Sequence, residues 1–104
     1  MTDLEEEMFR EPDGELRLPK PGLYRHFRNR KLYRHVGFAK HSETEELLVL
    51  YVPLYAEGQA YTSPASFMAR PATMWAERVE WAQDFADQIN GGANPGPRFK
   101  RVGD

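Results

Sequence analysis

Apolar and polar positions alternate along Leu23–Arg28 and again along Leu32–Lys40, with Asn29-Arg30-Lys31 between the two runs. A period of two is the signature of a strand with one buried and one wet face, so the pair reads as a hairpin with a three-residue loop. That register sets Arg25 opposite His35 and His26 opposite Arg34. A two-residue loop would face Arg25 with Arg34 and is disfavoured by like-charge repulsion. Gly37, inside the second run, predicts a bulge or a sharp bend. Glu46–Tyr55 is almost wholly apolar and reads as the central strand, buried on both faces. Pro53 marks an edge or the end of that strand, because it has no N–H for the ladder.

Beyond it, Ala56–Ser66 reads as a turn-rich loop around Glu57-Gly58, and Phe67–Arg70 as a further strand. Pro71 suits the first turn of a short helix running through Trp75. Trp81, Phe85 and Ile89 recur at helical spacing with Ala82 and Ala86, which predicts a helix stopped at Gly91-Gly92. Arg98–Val102 alternates as a closing strand. At the other end, Leu4, Met8 and Phe9 are few apolar anchors for one amphipathic turn, stopped by Pro12-Asp13-Gly14. Residues 1–20 therefore read as a flexible acidic arm, and residues 21–102 as a single small β-rich domain. A chain of 104 residues has room for one modest core.

Composition changes this picture in three ways. The absence of cysteine excludes disulfides and Cys-ligated metal, and fits a reducing cytoplasm. The N-terminus lacks the basic and apolar regions of a signal peptide. The longest apolar run, Leu47–Leu54, is far below the roughly 20 residues that cross a bilayer. A soluble cytoplasmic protein is expected. The net charge of −2 hides a division: residues 1–15 are acidic, residues 16–42 carry bases and no acid, residues 43–90 are acidic apart from Arg70 and Arg78, and the tail is basic again. Local potential, more than net charge, then decides what the chain attracts.

The stretch Gly22–Glu46 concentrates the chemistry, with His26, His35 and His41 among Arg25, Arg28, Arg30, Lys31, Arg34 and Lys40. Arginine and histidine, instead of Thr, Ser or Glu, fill the polar positions of its strands. The five blocks GLYRHF (22–27), GFAKHSET (37–44), ELLVLYVPLY (46–55), RPATMWAERV (70–79) and PRF (97–99) resemble, in this order, the bacterial domain-of-unknown-function family 1653. The resemblance implies an SH3-type small β-barrel of about five strands with one short helix. It carries no catalytic residue with it. Ala56–Ser66 is longer than the family's usual link, and Ala82–Gly96 stands as an insertion. On that alignment Glu77–Trp81 is a strand and residues 82–90 form an added C-terminal helix.

Several constellations follow. His41-Ser42-Glu43-Thr44 offers a base, a hydroxyl and a carboxylate, although sequence neighbours rarely converge as a triad; the plainer reading is a turn in which Ser and Thr oxygens satisfy backbone N–H groups. A metal site from His26, His35 and His41 is disfavoured by the expected register and by the neighbouring cations, and no cofactor is implied. Arg28, Arg30, Lys31 and Arg34, interleaved with aromatics, have the ingredients of single-strand nucleic-acid recognition. The expected site is a face carrying Tyr24, Arg25, His26, His41, Ser42, Glu43 and Arg70, which binds a small anion such as a nucleotide or a short single strand. Two alternatives stand beside it: a regulatory subunit that docks a protein partner through Trp75, Trp81 and Phe85, and a small enzyme with His26 or His41 as general base. Binding is favoured over catalysis, because a small barrel has no deep cleft of its own.

Overall fold

The computed structural model describes residues 1–54 and 67–104, so the expected loop Ala56–Ser66 lies outside the described residues. The chain is mainly β. Its strands are β1 (Gly22–His26), β2 (Leu32–Lys40), β3 (Leu47–Pro53), β4 (Met68–Pro71), β5 (Arg78–Val79), β6 (Gly96–Pro97) and β7 (Phe99–Gly103). Five of them form one antiparallel sheet in the order β4-β3-β2-β1-β7, and β5 pairs with β6 in a second, two-stranded sheet. The large sheet is open, with β4 and β7 at its edges. The middle strand is β2; β3, expected at the centre, lies between β2 and β4.

The first hairpin has a different register from the one the sequence suggested. Tyr24 pairs with Tyr33 and Arg25 with Leu32. The loop is Phe27–Arg30, four residues instead of three. It is closed by Arg30 N–H donating to His26 O at 3.0 Å, with Arg30 in the left-handed region at φ 62°. An odd shift in pairing exchanges faces. His26 and His35 therefore share the inner face with Tyr24 and Tyr33, while Arg25 and Arg34 lie on the outer one. The bulge expected at Gly37 is present, as the pairing jumps between His35 and Gly37.

The inner face holds the core: Tyr24, Tyr33, Val49, Tyr51, Trp75 and Phe99, with Phe9 from the N-terminal arm. Pro71 opens the short helix α2 (residues 72–75), which lays Trp75 across the sheet. The Trp75 ring stacks on Phe99 at 3.7 Å and meets Tyr51 and Tyr24 edge-on at 4.9 and 5.2 Å. Such pairs add about 0.5–1.5 kcal/mol each beyond the area they bury.

The added helix forms as expected, over Gln83–Ile89 (α3), whereas the strand expected at Glu77–Trp81 shrinks to Arg78–Val79. Trp81, Phe85 and Ala86 make a second, smaller cluster with Phe27, Val79 and Ile89. Asn94 fixes it: Oδ1 accepts from Trp81 N–H and Nδ2 donates to Trp81 O, both at 2.9 Å, and the indole N–H donates to Pro97 O at 3.0 Å.

Residues 1–20, expected as a flexible arm, are docked. The helix Asp3–Phe9 (α1) begins with a capping box between Thr2 and Glu5. Glu5 also accepts the Leu47 N–H at the start of β3 at 2.7 Å, and Phe9 is buried in the main core. Burial works against the Glu5 carboxylate, but the Thr2 and Leu47 amide donors outweigh it and hold its pKa below the usual range. Phe9, with Leu18 packed against the same core, and one charge-assisted bond dock a segment that composition alone marks as a polar arm. No helix among the described residues is long and apolar enough to cross a membrane.

Candidate functional site

At the Phe27–Arg30 end of the inner face, side chains from β1, β4 and the start of β7 converge. His26 ends β1 and turns inward, with its ring 4.9 Å from Phe99 and 6.2 Å from Tyr33. Its Nδ1 accepts backbone N–H groups of Arg28 at 3.2 Å and, more weakly, Asn29 at 3.5 Å. That arrangement assigns the neutral ring's proton to Nε2. Burial, followed by the guanidiniums of Arg70, Arg98 and Arg28, pushes the His26 pKa down to about 4. The ring is neutral at ordinary pH and presents an N–H donor amid three cations.

Arg70 is the inward residue of β4, opposite Val49. It crosses the inner face to place its guanidinium over Phe99, 5.5 Å from the ring centroid, with Nε 3.4 Å from the Tyr51 hydroxyl. No carboxylate among the described residues pairs with it. Arg98 differs, because its Nη2 meets Glu77 Oε2 at 2.9 Å and its Nε donates to Met74 O at 3.2 Å. Phe27 lies between Arg28 and Arg98, 5.3 and 5.8 Å from its ring. Two cations with no acid partner among the described residues, a third paired with an exposed carboxylate, and a neutral N–H donor make a local excess of positive charge and hydrogen-bond donors. This is the chemistry that holds a phosphoryl, sulfate or carboxylate group.

Of the residues expected to form the site, the structure brings His26 and Arg70 together. Tyr24 faces inward but is 4 % exposed, and its hydroxyl is spent on Lys20 O at 2.6 Å. Burial pushes the Tyr24 pKa up, against a smaller downward pull from Arg101 and the nearby Trp75 indole, which falls short of hydrogen-bond geometry. Arg25 is on the outer face and donates to Arg30 O at 2.7 Å. His41, Ser42 and Glu43 sit in the β2–β3 loop, at the other end of the nine-residue strand β2, roughly 30 Å from His26 at about 3.3 Å per residue. There His41 Nδ1 accepts Glu43 and Thr44 N–H at 3.1 and 3.3 Å, so the segment is a turn capped by its own histidine. In both loops Nδ1 is taken up by backbone N–H groups of the loop.

The basic hairpin is also largely engaged. Arg30 makes two contacts with Asp84, at 3.1 and 3.2 Å, and lies 4.6 Å over the Phe85 ring. Arg34 donates to the Asp104 carbonyl at 3.3 Å. Trp75, Trp81 and Phe85 are 1, 2 and 4 % exposed. They fill the two cores and do not form the exposed patch expected for a protein partner. His26 and His35 share a face, contrary to expectation. Even so, no group of three His, Asp or Glu side chains comes together as a metal-ligand set among the described residues.

The expectation missed Arg98 and the aromatic walls Tyr33, Tyr51 and Phe99. The signal lay in the doubled triplets Tyr24-Arg25-His26 and Tyr33-Arg34-His35: on antiparallel strands they pair tyrosine with tyrosine and fix the inner face.

Fold and site together define a small, mainly β protein with an arginine-lined rim on an aromatic inner face. The family described as protein of unknown function (DUF1653) matches residues 22–101, and the chain belongs to it. A DUF1653 protein of known crystal structure, from Bordetella bronchiseptica, is 33% identical, over 82% of this chain and 88% of that one, with a TM-score of 0.58. No protein of curated function matches the chain.

Proposed function

We propose that this chain is a binding module for a small anionic ligand, with its acidic group held by Arg70, Arg28 and the His26 Nε2–H and Arg98 at the rim. One observation carries the reading: Arg70, half-buried on the inner face, has no carboxylate among the described residues to balance it. A guanidinium removed from bulk water gains most from a charged partner. The inner-face aromatics are already packed on each other, so the anionic group, more than a stacked ring, supplies the affinity. A nucleotide fits this description through its phosphate.

Recognition of a longer single strand draws less support, because Arg30 and Arg34 are engaged within the chain. The test is a 15N NMR titration of the full chain with orthophosphate and then with nucleoside monophosphates, at constant ionic strength. Saturable shifts confined to His26–Asn29, Arg70 and Arg98, and lost in Arg70→Ala, are the expected result. Uniform, non-saturating shifts, or shifts that persist in Arg70→Ala, would overturn the reading.

A further inference from the structure

His26 is held in one tautomer and one charge state by its own loop. Its Nδ1 faces the backbone N–H groups of Arg28 at 3.2 Å and Asn29 at 3.5 Å. A proton on Nδ1 would point at those hydrogens, so the ring offers Nε2–H as a donor and adds no charge. Burial and the surrounding guanidiniums act in the same direction. Arg70 turns its Nε to the Tyr51 hydroxyl at 3.4 Å, which leaves its two Nη groups to a ligand. Arg28 lies over the Phe27 ring at 5.3 Å.

The charges at this end of the sheet do not all count. Arg28 and Arg70 have no acid partner among the described residues. Arg98 is offset by Glu77, with Nη2 and Oε2 at 2.9 Å, and its Nε is tied to Met74 O at 3.2 Å. Arg30 is likewise offset by Asp84 at 3.1 Å. The other polar groups on the walls are the Tyr33 and Tyr51 hydroxyls, on which Asn29 and Arg70 already act as donors. What remains is two positive charges and three separate donor groups, Arg28, Arg70 and the imidazole N–H. A carboxylate, a sulfate ester or a phosphodiester brings a single negative charge. A phosphate monoester past its second ionisation, at about pH 6, brings two, together with three terminal oxygens. Of these groups only the monoester matches both counts.

On the reading that this is an anion site, on which the inference rests, we propose that it selects the dianion of a phosphate monoester and that Glu77 sets the selection by offsetting Arg98. Glu77 touches no ligand and acts through the arginine. Without its carboxylate the rim would carry a third positive charge, and preference would move to more highly charged groups.

The test follows the backbone amides of His26, Arg70 and Arg98 in the full 15N-labelled chain at constant ionic strength. The ligands are adenosine 5′-monophosphate, ribose 5-phosphate and 3′,5′-cyclic adenosine monophosphate, the last keeping base and sugar but only one charge. At pH 7.5 both monoesters bind about tenfold more tightly than the cyclic ester, ribose 5-phosphate doing so without a base. On acidification to pH 5 the monoesters weaken by about tenfold as they lose the second charge, while the cyclic ester holds. A proton taken up by His26 would act in the opposite direction. Glu77→Gln keeps an acceptor for Arg98 Nη2 and removes the charge; in it the preference for adenosine diphosphate over the monophosphate rises at least threefold. Binding of the cyclic ester as tightly as ribose 5-phosphate would overturn the selection and leave the anion site standing. An unchanged diphosphate preference in Glu77→Gln would overturn the role of Glu77. If none of the ligands moves these amides, the anion site falls and this inference falls with it.

Discussion

His26 and His41, fifteen residues apart, open two hairpin loops of the same construction. In each, the histidine N–H donates to the carbonyl five residues on (Lys31 at 3.1 Å, Glu46 at 2.8 Å). Its carbonyl accepts from the residue four on (Arg30 at 3.0 Å, Glu45 at 2.9 Å), and that residue has φ 62° in both loops. In each, Nδ1 accepts from the second and third residues on. Even the next bond is matched, with Asn29 Oδ1 and Thr44 Oγ1 accepting from Lys31 and Glu46 N–H at 2.8 and 3.2 Å. Imidazole thus does what an Asx side chain does in a turn, satisfying N–H groups that point into the loop. What separates the two is environment: His26 is packed among aromatics and arginines, and His41 stands in a run of glutamates.

The cap at His41 can be tested without disturbing the anion site. His41→Ala leaves the Glu43 and Thr44 N–H groups to water and costs about 1 kcal/mol, the usual scale for a lost side-chain cap. His41→Asn restores an acceptor at similar reach and recovers most of that loss. Urea unfolding of the three proteins decides the matter, and equal midpoints for Ala and wild type would refute the capping role.

Acid should destabilise the fold through His26. The unfolded histidine titrates near 6.5 and the folded one near 4, so between these values the unfolded chain binds more protons and stability rises with pH. The contribution is fully present above about 6.5 and lost as pH falls toward 4. Glu5, held below the usual carboxylate range, adds a further loss in the same direction at lower pH. His26→Asn keeps an acceptor for the loop and removes the titration. The difference between wild-type and variant unfolding midpoints should therefore narrow or reverse on acidification from pH 7 to 4.5; a constant difference would count against the shifted pKa.

Strand existence was legible from alternation, and helix α3 from the spacing of Trp81, Phe85 and Ile89, since both depend on local burial patterns. The hairpin register was not. Asn29-Arg30-Lys31 looks like the turn because asparagine favours turns, yet the loop is fixed by His26, whose capping role has no propensity signal. A three-residue shift in pairing, from His35 to Leu32 opposite Arg25, then exchanged the faces and sent Arg25 to the wrong side. The His41–Glu43 block was legible as chemistry, and the strand Leu32–Lys40 that carries it away from His26 was legible too; placing both on one face disregarded the length of that strand. Docking of the arm rests on Glu5 and Leu47, forty-two residues apart, beyond the reach of any sequence window.

Removing Arg70 should move a neighbour's titration as well as weaken binding. Burial is the main cause of the low His26 pKa, and Arg70 is the next. Arg70→Ala therefore raises the His26 pKa partway toward 6.5, while the fold persists because the side chain is only half-buried. The same variant should weaken phosphate binding at least tenfold, and Arg70→Lys should recover only part, since lysine lacks the planar fork. Following the His26 Cε1–H resonance against pH separates the two effects. An unmoved His26 pKa would mean that the guanidinium does not lie where it faces the ring.

Gly96 is the backbone position that the second cluster cannot do without. A Cβ there would sit 2.7 Å from Asn90 Nδ2 and 2.9 Å from Trp81 Cε2 and Nε1. The indole is fixed by its bond to Pro97 O, and Asn90 Nδ2 by its bond to Ala93 O at 2.7 Å, so neither retreats freely. Gly96→Ala should cost about 1–3 kcal/mol, the range for overpacking a filled site. The damage should stay local, because Trp81, Phe85 and Ala86 form a cluster distinct from the one around Trp75. In an NMR spectrum the Trp81 indole resonance moves or broadens while that of Trp75 holds its place. If both move together, the α3 insertion is part of one cooperative core and not a satellite fastened to it by Asn94 and the Arg30–Asp84 pair.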